Sequence, residues 1–382
     1  MTTNFLNSDQ KLLQQEIIAF AAEHLNQGVA RRDVEQIFDR HLWEKCGQLQ
    51  LPGLAVAKEY GGRGLDVVTT TAALEALGYG CMDNGLSFSL GAHLLACVIP
   101  IWLYGSEEQK QRLLPGLCNG QLIAANAITE ASSGSDTFEM QTVATEEGGH
   151  YLLNGEKNFC SNSPVADIGL VYGLTNKAKK AMGGVTAFIL ERQAGHFLTG
   201  GSLNKAGLRS CLTGSLSITD ARVPESAVLG KKGSGTIIFL HSMTWERIGL
   251  SAVHLGTLAR LSDKALALHN PHLDNGSYNP LIAHRLAKVH AELEAARMLV
   301  YQAAYLLQTG NRQASTRASQ AKLLASETYK RNTGVLLELL PEKALHGDSD
   351  FARCYRDAVG STIYSGTSEI QKNVIAKYLG FG

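Results

Sequence analysis

Between residues 122 and 232 the chain changes texture, and that change limits its fold more than any other feature of the sequence. Short apolar or alternating runs, among them "HYLLNG", "IGLVYGL", "VTAFILE" and "GSLSITDARV", are separated by Gly, Asn and Asp. This is the pattern of strands joined by turns. On either side, apolar residues recur at helical spacing. Leu12, Leu13, Ile17, Phe20, Ala21 and Leu25 do so behind Ser8 or Asp9, either of which can cap a helix. After a Gly-punctuated connection at 51–66, "VVTTTAALEALGYG" resumes the helical pattern, and "GSEEQKQRLLPGLCNGQ" reads as a short helix ended by Pro115 and Gly116. From Gly235 onward, long stretches rich in Ala, Leu, Lys and Glu are helical again. The expectation is an α+β chain with an N-terminal helical domain over 1–121, a central β domain over 122–232 and a C-terminal helical domain over 233–382.

Several function classes fall away on composition. Lys plus Arg and Asp plus Glu both number 35, which leaves no basic surface for nucleic acid. No apolar run approaches the roughly 20 residues needed to span a bilayer. "MTTNFLNSDQ" lacks a basic segment followed by an apolar one, so no signal peptide is expected. The seven cysteines are scattered without a CxxC pair, which predicts reduced thiols and a cytoplasmic location. No metal site is expected, since His93, His241 and His254 read as packing or capping residues. The sequon at Asn275 is given no role. No GxGxxG follows a strand, which argues against a Rossmann nucleotide site.

Four stretches carry a more specific signal: "AITEASSGSD" (127–136), "NGEKNFCSNS" (154–163), "LNKAGLRSCLTGSLSITDARVPESAVLG" (203–230) and "RDAVGSTIYSGTSEIQKNVIAK" (356–377). In order and spacing they resemble the acyl-CoA dehydrogenase family, and the resemblance covers nearly the whole chain. It implies a helical domain, a β domain and a four-helix domain with FAD at their junction, usually in a homotetramer. The chemistry it implies removes an α-proton and a β-hydride from an acyl thioester. Such a reaction needs a flavin as hydride acceptor, a placed base, and donors for the thioester oxygen. By resemblance, Asn126, Ile128, Thr129, Ser135, Phe159, Ser161, Thr367 and Glu369 contact FAD. Ser135, Arg247, Ser365 and Gly366 face the substrate. "FCS" at 159–161 replaces the family's Trp-Ile-Thr, keeping an aromatic face and a hydroxyl. Cys160 reads as a small apolar filler.

One residue breaks the pattern. Much of the family places its catalytic glutamate directly before the Gly-Thr of the last motif, where this chain has Ser365. A serine hydroxyl without an activating partner is too weak a base. Some members carry the glutamate on the first helix of the C-terminal domain instead, just before an arginine. "TWERIG" supplies Glu246 and Arg247 at that place, and Glu246 is therefore the expected base. Its helical neighbours Ser242, Met243, Gly249 and Leu250 form no charged stripe, unlike the surroundings of a solvated ion-pairing glutamate.

Further departures concern the ends of the cofactor and substrate. Asp274 and Ser277 stand where an Arg-x-x-Phe would meet the FAD diphosphate, and Pro341 and Glu342 replace two glycines of a Gln-x-x-Gly-Gly segment. Weaker diphosphate binding follows, unless Arg285, Lys288 or Lys343 substitutes. Met243 and Thr244 replace an acidic residue that lies near the pantetheine arm in members using coenzyme A. The arm of a carrier protein shares that stem, so the resemblance slightly favours a carrier-bound acyl or aminoacyl thioester, such as prolyl-carrier protein. The alternatives are a short or branched acyl-CoA, and a catalytically silent scaffold. The electron acceptor is dioxygen or an electron-transfer flavoprotein.

Overall fold

The computed structural model describes residues 5–269 and 279–381. The N-terminal helices are α1 (Ser8–His24), α2 (Val29–Glu35), α3 (Arg40–Gln48), α4 (Val67–Gly80), α5 (Asn84–His93), α6 (Ile99–Tyr104) and α7 (Glu107–Cys118). Helix α1 is capped by Asn7 rather than by Ser8 or Asp9. Its side chain accepts from the Gln10 amide while the Gln10 side chain closes the reciprocal bond, so the box decides the start. Helix α7 runs through Pro115 and stops only before Gly120 at φ 78°. Pro115 gives up one bond in the last turn, and burial of Leu117 and Cys118 carries the helix past it.

A second correction concerns Asn84–Tyr104. Helix α5, a π-helical segment at Leu94–Val98 and α6 join into a continuous 21-residue stretch that contains an 18-residue window of mean hydropathy 1.9, long and apolar enough to cross a bilayer. Asn84, Gly85, Ser87, Ser89 and His93 interrupt it in sequence, which hides its apolar character. Here 83% of that window is buried inside the protein, so it is a core helix.

The strands are β1 (Ala124–Ala127), β2 (Val143–Glu147), β3 (His150–Ser161), β4 (Ile168–Leu174), β5 (Val185–Glu191), β6 (Leu198–Thr199), β7 (Thr213–Pro224) and β8 (Val228–Leu229). They form one sheet in the order β6-β7-β3-β2-β4-β5-β8, with β1 parallel to β4. Leu153, Val171, Phe188, Leu190, Phe197, Leu216 and Val223 fill its own core. The C-terminal part comprises α8 (Gly235–Leu268), α9 (Pro280–Gln308), α10 (Ala314–Glu338), the short α11 (Pro341–Ala344), α12 (Asp350–Ser361) and α13 (Ser368–Tyr378).

Helix α8 is the axis of the molecule, with every residue from Ser242 to Ser262 buried. It crosses α4 so closely that a Cβ on Gly78 would lie 2.0 Å from the Val253 carbonyl, and one on Gly256 2.0 Å from the Glu75 carbonyl. Only paired glycines permit that approach. It lays α4, α9 and α10 around a single buried helix.

Candidate active site

The loop between α12 and α13 holds Ser365 at φ 56° and Gly366 at φ 87°. A non-glycine residue in the left-handed region is uncommon and needs support from its surroundings. That support is explicit. The Ser365 carbonyl accepts from Arg247 Nε at 3.3 Å and Gln371 Nε2 at 3.1 Å. The Gly366 carbonyl accepts from Lys322 Nζ and Gln371 Nε2, both at 2.8 Å. With trans peptides, holding these carbonyls on one side turns the amide of the following residue to the other. No hydrogen bond to the Ser365 or Gly366 amide forms within the described residues. They remain available as donors.

Glu246 approaches this loop from α8. Its carboxylate accepts a hydrogen bond from Ser365 Oγ at 2.5 Å. The small side chain at 365 therefore leaves the volume into which the carboxylate reaches. Burial raises the Glu246 pKa, while Ser365, Arg247 and Lys322 pull it part of the way back. A carboxylate above its ordinary value is a stronger base once ionised. Arg247 itself holds the Ser365 carbonyl and Ser319 Oγ, at 3.1 Å to the latter, so its guanidinium supports the loop.

Lys322 was invisible in the sequence, where "SQAKLLASE" looks like any helix surface. It is buried, and burial together with Arg247 brings its pKa down to about 8. Lys322→Met should raise the Glu246 pKa, because a positive charge that favours the carboxylate is gone. The acid limb of the pH profile for flavin reduction then moves to higher pH. The gap from wild type closes at higher pH, where Glu246 is ionised in both proteins. An unmoved acid limb, measured by stopped-flow across pH, would dismiss this coupling.

The second wall is built by β1 and β3. A register shift between Lys157 and Cys160 in the β3–β7 pairing marks a bulge, and within it Phe159 takes φ 57° and stands 66% exposed. Bulges re-aim side chains in this way beside functional sites. Ser161 follows, half-buried. The Asn158 amide donates to the Thr129 carbonyl at 2.8 Å, fixing this segment against "AITEASSGSD". Asn126 donates to the Ala96 carbonyl at 2.9 Å, and Ile128 is buried. Ser135 sits on an exposed turn beside Gly134, around whose missing Cβ nothing lies within 4 Å. Burial raises the Cys97 thiol pKa, and Glu246 and Cys160 add to that shift. An outward aromatic ring, open space at Gly134 and undonated amides in the 365–366 loop are features that fit a planar cofactor with a thioester beside it.

Beneath this wall lies a pair that the sequence did not disclose. Lys157 Nζ donates to Glu130 Oε1 at 2.7 Å and to the Ile128 carbonyl at 3.2 Å, with Lys157 wholly buried. Glu130 also accepts from the Thr142 amide and hydroxyl and from the Gln141 amide. Burial alone would raise its pKa, but these partners outweigh it and hold the carboxyl below its usual value.

Other expected residues are less central. Thr367 caps α13, and Glu369 is exposed in its first turn, 3.7 Å from Lys372. His93 and His254 are packed as expected, with burial lowering their pKa values to about 4 and about 3. All seven cysteines are free and buried. Among the described residues no cluster could hold a metal ion. Asp274 and Ser277 lie outside the described residues. Pro341 and Glu342 open α11. Of the substitute cations, Arg285 is paired with Glu338 and Lys288 lies 4.0 Å from Glu292. Lys343 has no ion pair among the described residues.

A helical–β–helical fold, with a buried carboxylate against a loop of undonated amides and an exposed ring on the β domain, fits a class of thioester-oxidising flavoenzyme. The chain belongs to the acyl-CoA dehydrogenase family: the family's N-terminal, middle and C-terminal domains match residues 7–121, 125–221 and 233–380. It is 35% identical over 379 residues to the L-prolyl-[peptidyl-carrier protein] dehydrogenase of a Serratia species, covering 98% of this chain and 97% of that one. It is also 35% identical over 374 residues to the short-chain specific acyl-CoA dehydrogenase of Clostridium acetobutylicum, covering 97% and 98%. Among solved structures, PigA with FAD and proline superposes with a TM-score of 0.94 at 33% identity, with both chains fully covered.

Proposed function

We propose that the protein is an FAD-dependent dehydrogenase of a carrier-bound aminoacyl thioester, a prolyl thioester being the substrate the relatives favour. The observation that carries the reading is the 2.5 Å contact between Glu246 and Ser365, which sets a buried carboxylate beside the loop whose amides are undonated. Bound FAD supplies the hydride acceptor. Asn126, Ile128, Thr129, Ser135, Phe159, Ser161, Thr367 and Glu369 are the residues assigned to hold it. Glu246 takes the α-proton, and the amides of Ser365 and Gly366 stabilise the enolate oxygen as charge develops. For a prolyl group, hydride leaves from a neighbouring ring position, giving a pyrroline thioester.

The family assignment and the similarity to prolyl-carrier protein dehydrogenases support this substrate class. An equal identity to a short-chain acyl-CoA dehydrogenase supports the second reading, a short or branched acyl-CoA. Dioxygen and an electron-transfer flavoprotein are the acceptors that fit, and peroxide release on turnover separates them. A homotetramer in the cytoplasm completes the reading. Leu281, Met298, Tyr305, Ile363 and Phe381 of the C-terminal part are exposed apolar side chains of the kind that subunit contacts cover.

Anaerobic mixing with prolyl-loaded carrier protein should bleach the flavin, and mixing with butyryl-CoA should do so much more slowly. Fast bleaching by the acyl-CoA alone would establish the second reading. A protein that purifies without flavin and takes up none would be the silent scaffold.

A further inference from the structure

We propose that the rim formed by the 175–184 loop, the 229–235 turn and the first turns of α8 docks an acidic carrier-protein domain, steering its thioester arm toward Glu246. This deepens the proposed function and rests on its carrier-bound substrate. The segments "TNKAKKAMGG" and "LGKKGSG" carry Lys177, Lys179, Lys180, Lys231 and Lys232 and no acidic residue. All five lysines are exposed. The two segments are far apart in sequence but interlock. Thr236 Oγ1 donates to the Ala181 carbonyl at 2.8 Å, and a Cβ on Gly233 would lie 2.7 Å from the Gly183 carbonyl.

The charge on this rim is only partly offset. Glu139 pairs with Lys180 and Glu146 with Lys232. Lys177, Lys179 and Lys231 have no ion pair among the described residues. Beside them stand the apolar side chains of Met182, Ile237 and Leu240, exposed by 90%, 66% and 47%. An apolar patch edged by charge has the composition of a transient protein interface.

Its position ties it to the chemistry. Leu240 and Arg247 are seven residues, or two turns, apart on α8, so they share a face about 10 Å from end to end. Thr244 lies between them, its hydroxyl bonded to the Leu240 carbonyl. The stripe thus runs from the rim to the arginine that holds the Ser365 carbonyl. On the other side, the Lys180–Glu139 pair sets the lysine loop against the turn bearing Ser135. A phosphopantetheine arm ends in a phosphodiester on its protein, so that anion arrives at this rim with the carrier, and an acidic carrier surface is the complement of these lysines. Opposed charges of this kind accelerate encounter and fix orientation.

The test uses the FAD-loaded K177E/K179E/K231E variant, assayed with prolyl-loaded carrier protein, prolyl-pantetheine and prolyl-CoA. The expected result is a KM for the carrier substrate raised at least about tenfold. Its kcat and the activity with prolyl-pantetheine stay at wild-type values, and the salt dependence of the carrier reaction flattens. An unchanged KM for the carrier, with the wild type active on it, overturns the docking surface and leaves the proposed function standing. A loss confined to prolyl-CoA assigns the lysines to a nucleotide diphosphate and likewise overturns it. A wild type that oxidises prolyl-pantetheine but no carrier-bound substrate removes the carrier reading and this surface together.

Discussion

Glu246→Gln lowers the rate of anaerobic flavin reduction by about 10²- to 10⁴-fold while leaving bound flavin in place. Gln keeps the shape of the side chain and can still meet Ser365, so packing around α8 is preserved. What disappears is the group that takes the proton. Glu246 is buried with a raised pKa, and only its ionised form is a base. In the wild type the rate should therefore climb with pH through that raised value, whereas the residual rate of the variant should lack this limb. A second variant sharpens the test. Because Ser365 Oγ and the Glu246 carboxylate stand 2.5 Å apart, the double variant Glu246→Gly with Ser365→Glu returns a carboxylate to nearly the same point from the other backbone element. It should recover a measurable part of the rate lost in Glu246→Gly alone. Stopped-flow reduction with equal rates in wild type and Glu246→Gln would remove this residue from the chemistry.

The fold was largely legible because its alternation of periods is strong. The change from helical spacing to short alternating runs and back places a sheet between helical parts, and the strands do lie within 124–229. The resemblance pointed to Glu246 once Ser365 stood in place of the usual carboxylate, and the structure brings the two side chains together at 2.5 Å. What stayed hidden depends on burial rather than pattern. Lys322 has the same letter and spacing as the exposed lysines of other helices, and only the packing of α10 against α8 makes it an internal cation. The bulge that turns Phe159 outward is a local slip in pairing, and it leaves no mark on hydrophobic period. The apolar run at Asn84–Tyr104 escaped because small polar residues buried within it dilute its composition. Pro115 was read as a stop, yet tertiary burial of the following residues outweighed one lost hydrogen bond.

Lys157→Met has the largest expected effect on stability, and the reason lies in what it leaves behind. The wild-type ammonium is completely buried and its strongest partner is Glu130. A methionine fills similar volume but strands a buried carboxylate, which costs about 3–5 kcal/mol when one member of such a pair is removed. The damage is local to the β1–β3 wall to which the proposed function assigns the flavin. Glu130 belongs to "AITEASSGSD", Lys157 lies two residues before the Phe159 bulge, and Lys157 also holds the Ile128 carbonyl at 3.2 Å. The variant should unfold at a lower temperature and also lose flavin on gel filtration at concentrations where wild type retains it. Glu130→Gln combined with Lys157→Met removes the stranded charge, and the single Gln oxygen can still accept from the Thr142 amide and hydroxyl, although the Gln141 amide loses its acceptor. The double variant should therefore be more stable than Lys157→Met alone. Flavin retention should recover less, since the Ile128 carbonyl still lacks its donor. If Lys157→Met instead kept wild-type melting and wild-type flavin content, the pair would have no part in shaping the wall. If the double variant were no more stable than the single one, the cost would come from lost packing rather than from an unpaired charge.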